Sequence, residues 1–386
     1  MVGLSLSPRA RRAATMGAIL ALIVILFFLL VRPGPTWMYH VDTDVYRSGA
    51  AAFLAGDNLY TRSYEVDSGA LPFTYPPLAA ILFVPLTWLS LDFSALALTA
   101  ATVAALWWCL TIVLRHCFPE YPGRNRRLLA LWLLPLALLM EPIRSTIDFG
   151  QINVVLMALV ISDLLGRRGP VPRGVLVGLA AAIKLTPAVF GLVFLVRRQW
   201  KEALTSIAAG LGFSLFAAVI SPHNSWTYWT STLFHTDRIG DLGYAKNQSI
   251  QGLLTRLGVP HTAEGSLLWV GLVAATLLLI VGGMMRVHRL PGGELGVVLL
   301  ASLAALLCSP VSWSHHWTWL VPFAVLFAAV GLYRSGRWIL MAGCIAAIGV
   351  IGPGWAPLGN SYVAMGCVLA VLAVTQPRAF VPRGRR

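Results

Sequence analysis

Residues 14–31 read ATMGAILALIVILFFLLV, eighteen positions without a charged side chain. As a helix this run is about 27 Å long, close to the roughly 30 Å hydrocarbon core of a bilayer. It follows Arg9, Arg11 and Arg12, and Arg32-Pro33-Gly34-Pro35 stands after it where a signal peptide would show a small-residue cleavage site. The stretch therefore predicts an uncleaved first membrane helix with a cytoplasmic N-terminus, and sets the class of the whole chain.

The remaining sequence agrees. Of 386 residues, 58% are apolar and 11% charged, and the mean hydropathy is +0.75, too oily for an ordinary soluble domain. Apolar runs recur at about 78–91, 93–114, 128–140, 150–165, 174–196, 203–220, 266–285, 295–309, 317–333, 337–352 and 361–375. The expectation is an all-α polytopic membrane protein, one integral domain over 1–386 with ten to twelve spans.

The net charge of +14 does not point to nucleic acid, because the cations lie in short runs between apolar segments: Arg124, Arg126 and Arg127; Arg167 and Arg168; Arg197, Arg198 and Lys201; Arg383, Arg385 and Arg386. That is the pattern of loops retained in the cytoplasm. It places the tails 1–13 and 376–386 inside and the loops 32–75 and 221–265 outside a plasma membrane. Two places resist this bookkeeping. If 78–91 and 93–114 both cross, the basic loop 115–127 lands outside, so either one segment is re-entrant or the rule fails there. Residues 174–196 are basic on both flanks and interrupted by Lys184 and Pro187, which suggests two half-helices meeting at a buried apex.

The polar exceptions carry the chemistry. His40-Val41-Asp42-Thr43-Asp44-Val45-Tyr46 puts two carboxylates just beyond the first helix, in an acidic outer loop; either is a candidate general base for a lipid-borne substrate, against the alternative of a solvated loop. Residues 45–54 read as a short amphipathic surface helix ended by Gly56-Asp57. Lys184 in an apolar stretch is either a snorkelling lysine or the partner of a phosphate or carboxylate. Gln151 and Asn153 stand at a helix start, as caps or as donors to sugar hydroxyls. Ser309-Pro310-Val311-Ser312-Trp313-Ser314-His315-His316-Trp317 joins interfacial tryptophans to a histidine pair that, being adjacent, cannot jointly ligate one metal on a helix face. Lys246-Asn247-Gln248-Ser249 and Arg256 close the long outer loop.

Five cysteines without CxxC spacing argue against a disulfide framework or a thiolate metal site. No Walker A, GxGxxG or HExxH pattern is present. A secondary transporter or lipid carrier would share broken helices and a buried lysine, but would be expected to hold its ionisable groups near mid-bilayer and to show internal repeats; neither is visible here.

Taken together, Asp42-Thr43-Asp44-Val45-Tyr46, Gly56-Asp57-Asn58-Leu59-Tyr60, Phe73-Thr74-Tyr75-Pro76-Pro77, Gly150-Gln151-Ile152-Asn153, Lys184-Leu185-Thr186-Pro187, Asn247-Gln248-Ser249 and Ser309 through His316 resemble, in order and interval, the polyprenyl-phosphate-mannose-dependent mannosyltransferases of glycosyltransferase family 87, within the C-type membrane glycosyltransferase superfamily. The resemblance implies an active site built from outer loops and surface helices. It implies a polyprenyl-phosphate-mannose donor, a glycolipid acceptor of the phosphatidylinositol mannoside, lipomannan or lipoarabinomannan type, and an inverting transfer forming α(1→2) links; a donor carrying arabinose stays open. It selects Asp42 as base with Asp44 as the alternative, places Lys184, His316, His315 and Arg256 around the donor phosphate, and assigns Tyr46, Tyr75, Gln151, Asn153, Asn247, Gln248 and Trp313 to the sugars and acceptor. No cofactor is expected; a divalent cation on Asp42 and Asp44 would lack a second acidic cluster to complete its oxygen shell.

Overall fold

The computed structural model describes residues 7–30, 40–66, 69–235, 240–353 and 359–382; the remainder of both basic tails and Asp67 lie outside them. After α1 (Pro8–Leu30) come α2 (Val41–Leu54), a hairpin of β1 (Ser63–Val66) and β2 (Gly69–Pro72), α3 (Pro77–Phe83), α4 (Leu91–Cys117), α5 (Gly123–Leu138), α6 (Glu141–Phe149) and α7 (Asn153–Leu165). The second half holds α8 (Val175–Ile183), α9 (Gly191–Val196), α10 (Trp200–Ile220), α11 (Pro222–Thr230), α12 (Ile250–Arg256), α13 (Ala263–His288), α14 (Glu294–Cys308), α15 (Leu320–Tyr333), α16 (Arg337–Ile351) and α17 (Ser361–Thr375). The hairpin, with Tyr64 opposite Leu71, and an isolated antiparallel bridge between Asn247 and Trp313 are the departures from an all-helical chain among the described residues.

Among the described residues, five helical stretches are long and apolar enough to cross a membrane: α1, α4, α10, α13 and Ser314–Tyr333. A sixth is the pair α5 and α6, bent by 75°, and six apolar helical stretches of 10–17 residues complete the set. The expected segments are thus all helical, but many are short or broken rather than full uninterrupted spans. Pro77–Trp88 is one of these: twelve residues reach only about 18 Å, well short of the hydrocarbon thickness. Residues 174–196 break as the sequence suggests. Helix α8 stops at Ile183, Lys184 is extended (φ −148°, ψ 125°), and a 3-10 turn from Thr186 to Phe190 leads into α9. Proline at 187 removes a backbone donor and favours the non-α backbone before it.

Packing fixes the broken helix tightly. Helix α8 lies so close to α10 that a Cβ on Gly178 would come within 2.5 Å of the Ser206 carbonyl oxygen, the small-residue contact by which helices approach in lipid. Around this pair, α4 packs on α5, α7 and α15, α13 on α14 and α17, and α15 on α16.

The bundle has two chemically distinct ends. At one, Arg115 donates to the carbonyl of Leu165, Arg197 to Leu164 and Glu294, Arg286 to Val374 and Arg334 to Val381. Every basic connection in the described chain from Arg115 to Arg378 that follows α4, α7, α9, α13, α15 or α17 gathers there. At the other end lie α2, the hairpin, α6, α11, α12 and the 309–316 turn, tied by Leu59 N to Asn224 Oδ1 (2.8 Å) and His40 N to the Asp148 carbonyl (2.9 Å).

Candidate active site

Helix α2 buries Val41, Val45, Tyr46, Gly49, Ala50 and Ala52 and leaves Asp42 and Asp44 partly accessible in its first turn, where the helix dipole favours anions. The helix ends at Gly56 (φ +77°), as the Gly-Asp signal predicts. His40, just before it, sits at φ +28°, a strained position for a residue with a Cβ, of the kind that clusters at functional sites.

Opposite α2, α6 closes on Gly150 in the left-handed region (φ +71°). A Cβ there would lie 1.8 Å from Thr43 Oγ1, so only glycine lets this loop reach α2. The approach delivers Gln151. Its Oε1 lies 3.1 Å from Tyr46 Oη and 3.0 Å from Tyr75 Oη, which are 2.8 Å from each other. With its oxygen taken by the phenols, the amide group donates to the Asp42 carboxylate. Burial pushes the Asp42 carboxyl up to about 6, while Gln151 and the positive charge of Lys184 pull it back. Burial also raises both phenols, Tyr46 and Tyr75, so they stay protonated as hydrogen-bond donors.

The chain of contacts continues to Lys184. Its Nζ lies 3.3 Å from Tyr75 Oη, 3.0 Å from Asn153 Oδ1 and 3.2 Å from His316 Nε2, which employs all three ammonium protons. The His316 ring therefore accepts through Nε2. Asn153 passes the connection on, donating 3.1 Å to the carbonyl of His315. Asp42, Gln151, Tyr75, Lys184, Asn153 and His316 form one network drawn from five segments of sequence. Beneath Lys184 and His316, a narrow cleft of about 60 Å³ runs between Leu156, Met157, Val160, Phe190, Leu306 and Trp319. A cation above an apolar cleft matches the amphipathic chemistry of a lipid phosphate.

Several predicted sugar-binding residues are occupied by the protein itself. Asn247 and Gln248 are fully buried. Asn247 donates to Leu242 (3.0 Å) and Pro310 (3.3 Å) and accepts from Ser312 N (2.9 Å). Gln248 donates to Ala245 (2.7 Å) and Gly359 (2.6 Å) and accepts from Tyr362 N and Val363 N. The Asn247 amide holds the 309–313 turn and the Gln248 amide holds the start of α17, leaving no group for a substrate. Tyr46, Gln151 and Asn153 likewise make side-chain hydrogen bonds within the network. Arg256 is not brought to Lys184: its guanidinium donates to Asn360 Oδ1 (2.6 and 3.0 Å) and to the carbonyls of Tyr244 and Asn247. It braces the loop. His315 is buried, with its ring against Phe149 at 5.4 Å, whereas Trp313 stays half-buried beside Tyr244.

Two residues given no role from the sequence border the site. Glu141 accepts from Ser314 Oγ (2.7 Å) and Tyr362 Oη (2.9 Å), pinning the turn that carries the histidines; a single acid before a proline reads only as a helix start. Lys246 lies 5.6 Å above the Phe149 ring and partly exposed, next to the site; its position beside Asn247 was the available signal. Among the described residues no group of three His, Cys, Asp or Glu is placed to hold a metal ion.

A model described as glycosyltransferase family 87 matches residues 73–310 of this chain. A polyprenol-phosphate-mannose-dependent alpha-(1-2)-phosphatidylinositol mannoside mannosyltransferase of Mycobacterium tuberculosis is 41% identical over 332 residues, covering 83% of this chain and 77% of that protein. The protein of the same description from Mycolicibacterium smegmatis is 40% identical over 361 residues, covering 86% and 81%. A phosphatidylinositol pentamannoside mannosyltransferase of M. smegmatis is 34% identical, covering 91% and 82%. Among solved structures, ArnT from Cupriavidus metallidurans bound to undecaprenyl phosphate aligns with TM-score 0.39 and 15% identity, over 95% of this chain and 78% of that one.

Proposed function

Because this chain belongs to glycosyltransferase family 87, we propose that it moves mannose from polyprenyl-phosphate-mannose to a phosphatidylinositol mannoside, forming an α(1→2) link. The observation that carries the mechanism is the continuous network from Asp42 through Gln151 and Tyr75 to Lys184 and His316, lying over an apolar cleft. The polyprenyl chain enters from the cleft side and its phosphate takes over hydrogen bonds that Lys184 now makes to neutral groups. The acceptor hydroxyl attacks the anomeric carbon and gives its proton to Asp42; the bond from that carbon to the phosphate oxygen breaks, and the configuration inverts. A base placed in hydrogen-bond reach contributes about 10²- to 10⁴-fold. The leaving phosphate needs charge stabilisation, which the Lys184 ammonium supplies in a site shielded from water, with His316 as a neutral hydrogen-bonding partner that orients it. Asp44, Lys246 and Trp313 stand where the acceptor sugars would lie.

The active end faces the outside of the plasma membrane. With Pro77–Trp88 dipping in and returning, α4 runs inward and the cationic 115–127 connection falls in the cytoplasm. The broken helix 175–196 rises to Lys184 and returns, so Arg167 and Arg197 share that side. Both termini then lie inside. Asn247, Gln248 and Arg256 support the site as loop braces, without touching the phosphate or sugar.

The test is a reconstituted reaction of the full chain with labelled polyprenyl-phosphate-mannose and defined phosphatidylinositol mannosides, with an arabinose-bearing donor in a parallel arm. The expected product is a glycolipid longer by one mannose and sensitive to an α(1→2)-specific mannosidase. Transfer from the arabinose donor alone would replace the donor assignment, and movement of label across the bilayer without a new glycoside would replace the enzyme with a carrier.

A further inference from the structure

At the basic end of the bundle a cavity of about 880 Å³ opens between the C-terminal turns of α4, the start of α5, the end of α7, the 166–173 connection and the first turns of α10. It lies at the far end of α7 from Asn153, about 18 Å from the catalytic network by helix length. A second cavity of about 610 Å³ adjoins it, sharing the wall of Arg115, Arg167, Arg168 and Arg173. The proposed transfer uses neither.

Two sets of cations line the larger cavity. Arg115 and Arg173 are fixed on the carbonyls of Leu165 and Gly166 that end α7, and Arg126 on those of Phe118, Pro119 and Tyr121. These are helix-end and loop anchors. Arg127, Arg167, Arg168 and Lys201 make no side-chain hydrogen bond or ion pair among the described residues. The two acids on the wall do not neutralise them. Asp163 is consumed by Gly174 N and Val177 N, each at 2.8 Å, and Glu202 forms no ion pair with the cations. Bulk positive-inside charge would need no cavity. Here rigid arginines form a floor, free cations form a rim, and one wall is apolar, formed by Ile112, Leu176 and Trp108, whose indole is half exposed and held by Ser162 Oγ at 2.8 Å.

We propose that this cavity binds a phosphate ester, with its oxygens on Arg127, Arg167, Arg168 and Lys201, and that the apolar wall of Trp108 and Ile112 takes the hydrocarbon chain of a phospholipid bearing it. Guanidinium forks suit phosphate oxygens in paired hydrogen bonds.

The test is native mass spectrometry of the full chain in detergent, titrated separately with dioleoyl phosphatidylglycerol, dioleoyl phosphatidylcholine and glycerol 3-phosphate. Thermal unfolding serves as the check that each variant is folded. Wild type should retain one phosphatidylglycerol at least tenfold more tightly than phosphatidylcholine. Arg167→Gln with Arg168→Gln should weaken that binding roughly 30-fold, at about fivefold per basic residue, while Arg9→Gln with Arg12→Gln, on α1, should leave it unchanged. Loss of phosphatidylglycerol but not glycerol 3-phosphate binding in Trp108→Ala assigns the phosphate to a lipid; glycerol 3-phosphate binding as tight as the lipid's and indifferent to Trp108 assigns it to a soluble ester. Equal retention of both lipids by wild type, or equal weakening by the α1 pair, would overturn the site and leave only general surface charge.

Discussion

Gln151→Leu is the substitution that separates a general base from a merely nearby carboxylate. In the wild-type chain the Asp42 carboxyl titrates at about 6, raised by burial and held down by the Gln151 hydrogen bond and the Lys184 charge. The ionised form is the base, so transfer should rise with pH through about 6 and level off above 7. Leucine fills nearly the same volume but removes the donor. A hydrogen bond to a charged group contributes about 1.5–3 kcal/mol, which at 1.36 kcal/mol per pH unit moves the ionisation upward by roughly 1 to 2 units. The rising limb should then centre near 7 to 8. At pH 7 the ionised fraction drops from about nine-tenths to between one-half and one-tenth, a loss of roughly 2- to 10-fold that alkaline buffer recovers. The same change leaves the Tyr46 and Tyr75 hydroxyls one acceptor short, costing about 1–3 kcal/mol of stability, so the profile must be read as kcat/KM of folded, reconstituted enzyme against pH. A uniform drop at every pH, with the limb still at 6, would refute the role of Gln151 as the group that sets Asp42. No limb near 6 in wild type would refute Asp42 as the base.

Asp42→Asn should lower kcat by about 10²- to 10⁴-fold and erase the limb, whereas Asp44→Asn should keep it; equal losses with the limb gone in both would make the pair a unit. With the phosphate seated on the Lys184 ammonium as proposed, Lys184→Met should raise the KM for the polyprenyl donor and lower kcat, with little change for the acceptor KM; a change confined to the acceptor would move the phosphate elsewhere. Arg256→Gln should lower the thermal midpoint through its lost bonds to Asn360, Tyr244 and Asn247 while leaving donor KM within about twofold; a tenfold rise in donor KM at unchanged stability would return it to the phosphate. Asp42 also marks the pH dependence of stability. Its folded ionisation at about 6 lies above the roughly 3.9 of an unfolded chain, so the native state binds more protons in between and loses stability as pH rises from about 4 to about 6; Asp42→Asn should flatten that part of a midpoint-against-pH curve.

The sequence by itself determined the class of protein and nearly every helix. Burying an apolar run in lipid depends on composition and length alone, which is why residues 203–220 and 266–285 reappear as α10 and α13. It also located the break at Lys184, because a charge and a proline inside an apolar run are costly wherever the partners lie. The candidate base was legible for the same reason: carboxylates are scarce in such a chain. What the side chains face was not legible. An amide serves a sugar or a carbonyl with equal chemistry, and only the meeting of Asn247 with 310–312, more than sixty residues on, and of Gln248 with 359–363, more than a hundred on, shows that both are spent on the fold. Gln151 becomes the link between Asp42 and Tyr75 only because Gly150 lets α6 close on α2, and Arg256 is drawn away by Asn360, over a hundred residues on. Only the structure shows that Pro77–Trp88 is too short to span, because its backbone turns from α-helix into a 3-10 turn that hydropathy cannot distinguish from a continuous helix. Local free energies wrote the segments; competition among distant hydrogen-bonding groups for the same few buried partners decided the site.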